Sequence, residues 1–314
     1  MTMADQDSYI RDYQPGDEDA IVGLFATVFG QRMTSVQWRW KYTGAGVTPP
    51  SKLAFDEAGR LVGHAGAILL RGWRRGQPWP FFQVCDVMVH PDARGRLGGR
   101  NLFTQLVREL LTGLAARWPE AFAYGFPGQR PFRLGEYVRV YGEVERACAM
   151  EWRVGRGFRL RLSTRPLDWV DDRLDGLWAQ QAPHHALALI RDREYLRWRY
   201  AAHPTHVYQL LGLFLGPRLL GWAVTHRGEG RLRIVDLLIH RRWLRLALTA
   251  LERVTAAEGA DKVEIWLPRS WREAAGHCLM STEVVVANMT WALPIPTDEV
   301  RETLYYTMGD LDIF

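Results

Sequence analysis

The chain is poor in cysteine and lysine, and it has no long hydrophobic run. Its three cysteines, Cys85, Cys148 and Cys278, stand far apart in 314 residues. That scatter excludes a disulfide scaffold and a Cys-x-x-Cys metal site, so no metal is expected, and it fits a reducing cytoplasm. No stretch approaches the roughly 18 consecutive apolar residues that a transmembrane helix needs, so no membrane partner is expected. The opening residues, Met1 to Asp7, are polar and acidic, unlike a signal peptide. Lysine occurs only at Lys41, Lys52 and Lys262, and arginine supplies the other 37 of the 40 basic residues. A GC-rich genome produces that bias, and so does selection for anionic ligands. The arginines are spread over the whole chain without a nucleic-acid-binding motif, so the net charge of +5 gives no reason to expect nucleic acid.

The length suits two domains of about 150 residues each, and 47% hydrophobic against 24% charged residues is an ordinary globular balance. Short apolar runs alternate with segments of helical periodicity, so both strands and helices are expected.

The richest stretch runs from Phe81 to Arg117. Phe81 to Val89 is apolar and β-branched enough for a buried strand. His90-Pro91-Asp92 ends it, because proline cannot continue a central ladder. A loop of Arg94, Gly95, Arg96, Leu97, Gly98, Gly99 and Arg100 follows. Then Leu102, Phe103, Leu106, Val107, Leu110, Leu111 and Leu114 recur at helical spacing. Glycines let backbone N–H groups approach an anion, the helix N-terminus favours negative charge, and arginine adds bidentate donors. The combination is a cradle for a diphosphate. Neither the dinucleotide fingerprint nor a Gly-Lys-Ser/Thr phosphate loop is present.

This strand, His-Pro-Asp turn and arginine–glycine loop resemble motif A of the GCN5-related N-acetyltransferase (GNAT) superfamily. That motif ends in Arg/Gln-x-x-Gly-x-Gly/Ala entering a helix. Arg94 and Gly99 stand at its first and last positions, Leu97 stands where the first glycine is expected, and Gly98 falls on a variable position. The resemblance implies an α/β acetyltransferase fold, an α+β arrangement on a mixed sheet, and acetyl-CoA as co-substrate. It implies that pantetheine pairs along Val87, Met88 and Val89, and that the seven loop residues from Arg94 to Arg100 hold the diphosphate.

The second half of the chain repeats features of the first in the same order. Trp38-Arg39-Trp40-Lys41-Tyr42 is echoed by Arg197-Trp198-Arg199-Tyr200, and Gly59 to Ala65 by Pro217 to Ala223. Cys85 to His90 is echoed by Val235 to His240, and Tyr124 to Pro127 by Ile265 to Pro268. The expectation is two tandem GNAT-type domains, at residues 1–155 and 156–294, with a C-terminal tail at 295–314. After His240 the chain reads Arg-Arg-Trp-Leu-Arg-Leu-Ala-Leu without glycine. Bulky side chains there obstruct a diphosphate, so the second copy is expected to be degenerate.

The catalytic residues are read less sharply. The resemblance makes Asp86 the candidate base, yet Asp236 holds the same place in the degenerate copy and favours a structural task. His90 and His240 are likewise paired, as loop-forming residues. His64 sits in an apolar strand as a core histidine or one facing the acceptor. The family's general acid is often a tyrosine after the fifth strand; here Tyr137 and Tyr141 are candidates in an ambiguous register, with Tyr124 behind them. Trp73 and Trp79 are expected in a loop of residues 73–80 that packs down or lines an acceptor site. The tail either packs or brings its C-terminus to the active site. The implied activity is acetyl transfer to a small-molecule amine or amino sugar, by a monomer or homodimer. A non-catalytic acyl-CoA sensor or scaffold, and a protein or peptide N-acetyltransferase, are the other readings.

Overall fold

The computed structural model describes residues 8–44, 46–95, 101–153, 162–228, 230–275 and 279–311. The chain divides into two compact units. The expected boundary near Gly155 to Gly157 lies outside the described residues.

The first unit comprises Met1–Leu70, Trp79–Val144 and Val285–Asp298. It starts with β1 (Tyr9–Asp12), α1 (Glu18–Phe29), α2 (Ser35–Thr43) and β2 (Ser51–Phe55). Asp17 precedes α1 but does not cap it with its side chain. Its carboxylate instead pairs with Arg11 at 2.7 Å and accepts from the Gln14 amide at 2.8 Å. Thr34 and Gln37 form a reciprocal capping box at the start of α2. Next come β3 (Leu61–Arg74), β4 (Gln77–Val89), α3 (Leu102–Arg117), β5 (Phe122–Gly125) and α4 (Gln129–Tyr137). The strand order is β1-β2-β3-β4-β5, with β4 and β5 parallel. The periodic face of α3, from Leu102 to Leu114, is buried against Val62, Ala65, Phe82 and Val84. This is the packing that its spacing predicts.

The expected loop at residues 73–80 is instead the end of a hairpin. Arg75 and Gly76 turn it at φ 48° and 91°, and β3 and β4 run up to them on either side. Positive φ at both positions is the twist that two-residue hairpins require.

The second unit comprises Arg71–Pro78, Glu145–Val284 and Glu299–Phe314. It holds β7 (Leu162–Pro166), α5 (Arg173–Gln181), β8 (Leu187–Leu189), α6 (Arg193–Leu196), β9 (Gln209–Leu215), β10 (Arg218–Gly228) and β11 (Arg231–Ile239). After these come α7 (Leu244–Ala257), β12 (Lys262–Trp266), α8 (Arg269–Ala275) and, in the tail, α9 (Thr297–Thr303). Its strand order, β7-β9-β10-β11-β12, mirrors that of the first unit, and β11 and β12 are again parallel. α7 buries Leu244, Ala247, Leu248 and Leu251 over Ile234, Leu237, Val263 and Ile265. The echoed sequences fall on corresponding elements.

The sixth strand of each unit comes from the other half of the sequence. β13 (Leu279–Met289) runs antiparallel to β5 through Ala287 and Asn288. β6 (Tyr141–Arg153) runs antiparallel to β12 from Ala149 to Arg153. Each unit is therefore assembled from separated stretches of chain.

Candidate active site

Pairing between β4 and β5 stops at Val84 and Gly125. A Cβ on Gly125 would lie 2.9 Å from the Val84 carbonyl oxygen, so glycine permits the close approach at this last rung. β4 continues past that point through Val87, Met88 and Val89, and among the described residues no strand pairs with its β5-side edge there. His90 ends it, with Nδ1 accepting from the Asp92 amide at 3.3 Å, and Pro91 to Ala93 form a tight turn. His240 accepts from the Arg242 amide at 3.2 Å in the second unit, so both histidines form the turn. Arg94 donates from Nε to the Val89 carbonyl at 2.9 Å, and Gly95 takes φ 140° with open space around it. Arg96, Leu97, Gly98, Gly99 and Arg100 lie outside the described residues. Asn101 then caps α3, its side-chain oxygen accepting from the Thr104 amide at 2.7 Å and the Thr104 hydroxyl at 2.9 Å.

Asp86 lies on β4 with φ 49°, a left-handed conformation that a non-glycine residue adopts at a cost. Its Oδ2 accepts from Lys41 Nζ at 2.8 Å and from the Tyr42 hydroxyl at 2.7 Å. Its carbonyl lies 2.7 Å from His64 Nδ1. A carbonyl only accepts, so Nδ1 carries the proton. Burial, the largest cause, lowers the His64 pKa, and its Nε2 is enclosed without a hydrogen-bond partner among the described residues. Burial and then the Asp86 charge raise the pKa of Tyr42, which keeps its phenol a donor. The Tyr42 oxygen is also 3.3 Å from Cys85 Sγ. Lys41 and Tyr42 were not singled out from the sequence as site residues, whereas His64 was read as a core histidine or one facing the acceptor. The signal was available, because Lys41-Tyr42 and Arg199-Tyr200 echo each other just as Asp86 and Asp236 do.

Tyr137 and Tyr141, the candidate general acids, are not among the described hydrogen-bond partners of Asp86. Tyr137, at the end of α4, is 76% exposed. Tyr141, at the start of β6, is a core residue near Phe103 and Phe132, and a Cβ on Gly135 would lie 2.1 Å from its ring. Burial raises its pKa. Tyr124 is buried against Phe81 and Phe122. Trp73 packs edge-on to Trp178, and Trp79 donates to the Glu120 carbonyl at 2.6 Å, so both tryptophans have structural partners.

In the second unit, pairing of β11 with β12 stops at Ile234 and Ile265. The Tyr200 hydroxyl donates to Asp236 Oδ2 at 2.8 Å, reproducing the pair formed by Tyr42 and Asp86. Asp236 Oδ1, however, accepts from Arg191 Nε at 3.0 Å, from the Thr307 hydroxyl at 2.9 Å and from the Leu237 amide at 2.8 Å. Arg191 also pairs with Asp310. Tyr305 donates to the Leu237 carbonyl at 2.5 Å, on the same strand. The described tail is thus packed at Asp236, and residues 312–314, with the C-terminus, lie outside the described residues.

Residues 9–140 match the family model for the acetyltransferase (GNAT) domain. This part of the chain is a GNAT domain. The solved structures most similar in fold include a probable N-acyltransferase from Enterococcus faecalis V583. It has a TM-score of 0.70 and 13% identity, and the match covers 91% of this chain and 73% of that one. A GCN5-related N-acetyltransferase from Anabaena variabilis gives a TM-score of 0.68 at 14% identity, covering 91% and 73% of the two chains. Saccharomyces cerevisiae N-myristoyltransferase with bound myristoyl-CoA gives 0.62 at 9% identity, covering 95% and 85%. A search of curated proteins gave no significant match. Among the described residues no helix is long and apolar enough to cross a membrane, and no cluster of His, Cys, Asp and Glu is placed to hold a metal.

Proposed function

We propose that the chain is an acyl-CoA-dependent N-acyltransferase of the cytoplasm, made of two tandem GNAT-type copies. In this reading the first copy transfers acetyl from acetyl-CoA to a primary amine of a small molecule or amino sugar. The observation that carries it is the β5-side edge of β4 beyond Val84, which no strand pairs with among the described residues, between the last β5 rung and the His90 turn, with the Asn101-capped helix later in the chain. An extended amide chain fits that edge as an added strand, and the arginine–glycine loop and the start of α3 suit an anion.

The residues then divide the work. Val87, Met88 and Val89 hold the pantetheine arm in line. Arg94, Gly95 and the loop to Arg100 neutralise the diphosphate. Asp86 takes the proton from the acceptor ammonium, directly or through one water, and the freed amine attacks the thioester carbonyl. The carbon–sulfur bond breaks as the carbon–nitrogen bond forms, and a general acid returns a proton to the thiolate. Tyr137, with its phenol exposed, suits that last role; Tyr141 suits packing.

A thermal-shift titration with acetyl-CoA tests the donor. A ligand that binds the folded state must raise the melting temperature with concentration, and no rise at millimolar acetyl-CoA overturns the reading. Free-thiol release across small amines, amino sugars and peptide N-termini then tests transfer. Binding without release against any acceptor favours a sensor. Because one similar fold is that of an N-myristoyltransferase, the same titration with longer acyl-CoAs tests the acyl length.

A further inference from the structure

We propose that Lys41 and Tyr42 are the positioning residues that hold Asp86 as a proton acceptor, an inference that rests on the acyl-transfer reading above. The two are neighbours on α2, and both donate to the same carboxylate oxygen, Oδ2, at 2.8 and 2.7 Å. Oδ1 receives no hydrogen bond among the described residues. One oxygen is anchored by a cation and a phenol, and the other keeps its lone pairs. The backbone is fixed as well, since His64 binds the Asp86 carbonyl at 2.7 Å and helps hold the residue in its left-handed conformation. Gly66 closes the arrangement from behind. A Cβ there would lie 2.6 Å from the Tyr42 oxygen and 2.8 Å from His64 Cε1, so the phenol is confined to its place against Asp86.

The second unit supplies the contrast. Asp236 keeps the tyrosine, Tyr200, but both of its oxygens are occupied. Arg199, the counterpart of Lys41, donates to the Gly309 and Leu311 carbonyls at 2.9 and 2.6 Å. A structural aspartate needs its lone pairs satisfied; a general base needs one left over. By that criterion Asp236 is spent and Asp86 is not.

The test measures kcat and KM against pH for the wild type and for Asp86→Asn, Tyr42→Phe, Lys41→Met and Lys41→Arg, with acetyl-CoA binding followed by thermal shift. Asp86→Asn should lower kcat by about 10²-fold or more, as the loss of a general base does, and leave acetyl-CoA binding intact. Removing a donor from a carboxylate raises its pKa. Tyr42→Phe and Lys41→Met should therefore each move the acidic limb of the kcat/KM profile to higher pH and reduce kcat, with the KM for acetyl-CoA unchanged. Lys41→Arg, which keeps the cation, should restore most of the activity that Lys41→Met loses. Gly66→Ala, which crowds Tyr42 without removing it, should reproduce the Tyr42→Phe profile. Full kcat in Asp86→Asn, or a fall in kcat for Tyr42→Phe with the acidic limb unmoved, would overturn the proposal while leaving acyl transfer standing. A wild type that does not bind acetyl-CoA overturns the underlying reading and the proposal with it.

Discussion

A Cβ on Gly309 would lie 1.9 Å from the hydroxyl oxygen of Tyr200. Gly309 is not in a left-handed conformation, so space alone demands glycine here. The chain end passes over the tyrosine that binds Asp236 and leaves no room for a methyl group. Gly309→Ala should therefore destabilise the protein by about 1–3 kcal/mol, the usual cost of overpacking. Chemical denaturation measures it, and a loss below about 0.5 kcal/mol, the range of surface substitutions, would show that the tail yields easily.

Arg191 is fully buried between two carboxylates, Asp236 and Asp310. Taking away the cation leaves both acids without compensation in a dry site. Arg191→Met should cost about 3–5 kcal/mol, as breaking a buried ion pair does. Adding Asp310→Asn to that variant removes one stranded charge, so the double variant should be more stable than Arg191→Met alone. Additive losses in a denaturation cycle would refute the coupling.

The same cluster gives a pH dependence with a defined sign. Burial, the largest cause, raises the Asp310 carboxyl from its ordinary 3.8 to about 6; Asp236 adds to the rise, and Arg191 opposes it. The folded state therefore binds this proton more tightly than the unfolded chain. Its contribution to stability is complete below about pH 4 and is lost as the pH rises through about 6. Asp310→Asn cannot titrate. Relative to that variant, the wild type should lose a few kcal/mol at most between about pH 4 and pH 7. Denaturation midpoints at several pH values test this, and a constant difference between the two proteins would contradict it.

The sequence was most legible where local rules suffice. Phe81 to Val89 reads as a strand and Pro91 as its end, and the heptad-like leucines of α3 face the core as their spacing requires. The four echoed motifs were legible because they recur in order, and they fall on corresponding elements of the two units. The hairpin at Arg75 and Gly76 was not, because arginine gives no sign that it will adopt φ 48°. The exchange of β6 and β13 was hidden for another reason: a strand's alternation fixes which face is buried, not which neighbour it pairs with. The cluster around Asp86 joins residues 44 and 45 positions apart. Each had a bland local reading, with Tyr42 as one aromatic of an echoed motif and His64 as a core histidine or one facing the acceptor. Only the joint recurrence of Tyr200 with Asp236 pointed to the pair.

Asn101 links the fold to the proposed donor site. Its side-chain oxygen satisfies both the Thr104 amide and the buried Thr104 hydroxyl at the first turn of α3. Asn101→Ala removes the cap and one acceptor of the Thr104 hydroxyl, at about 0.5–2 kcal/mol. The first turn of α3 should loosen where the arginine–glycine loop meets it. Two losses are therefore expected together: a lower denaturation midpoint, and weaker acetyl-CoA binding measured well below that midpoint. Asn101→Asp keeps the acceptor and should restore stability, but it sets a negative charge beside the proposed diphosphate site, so binding should stay weak. If Asn101→Asp recovered full affinity for acetyl-CoA, the diphosphate would have to lie away from this helix end.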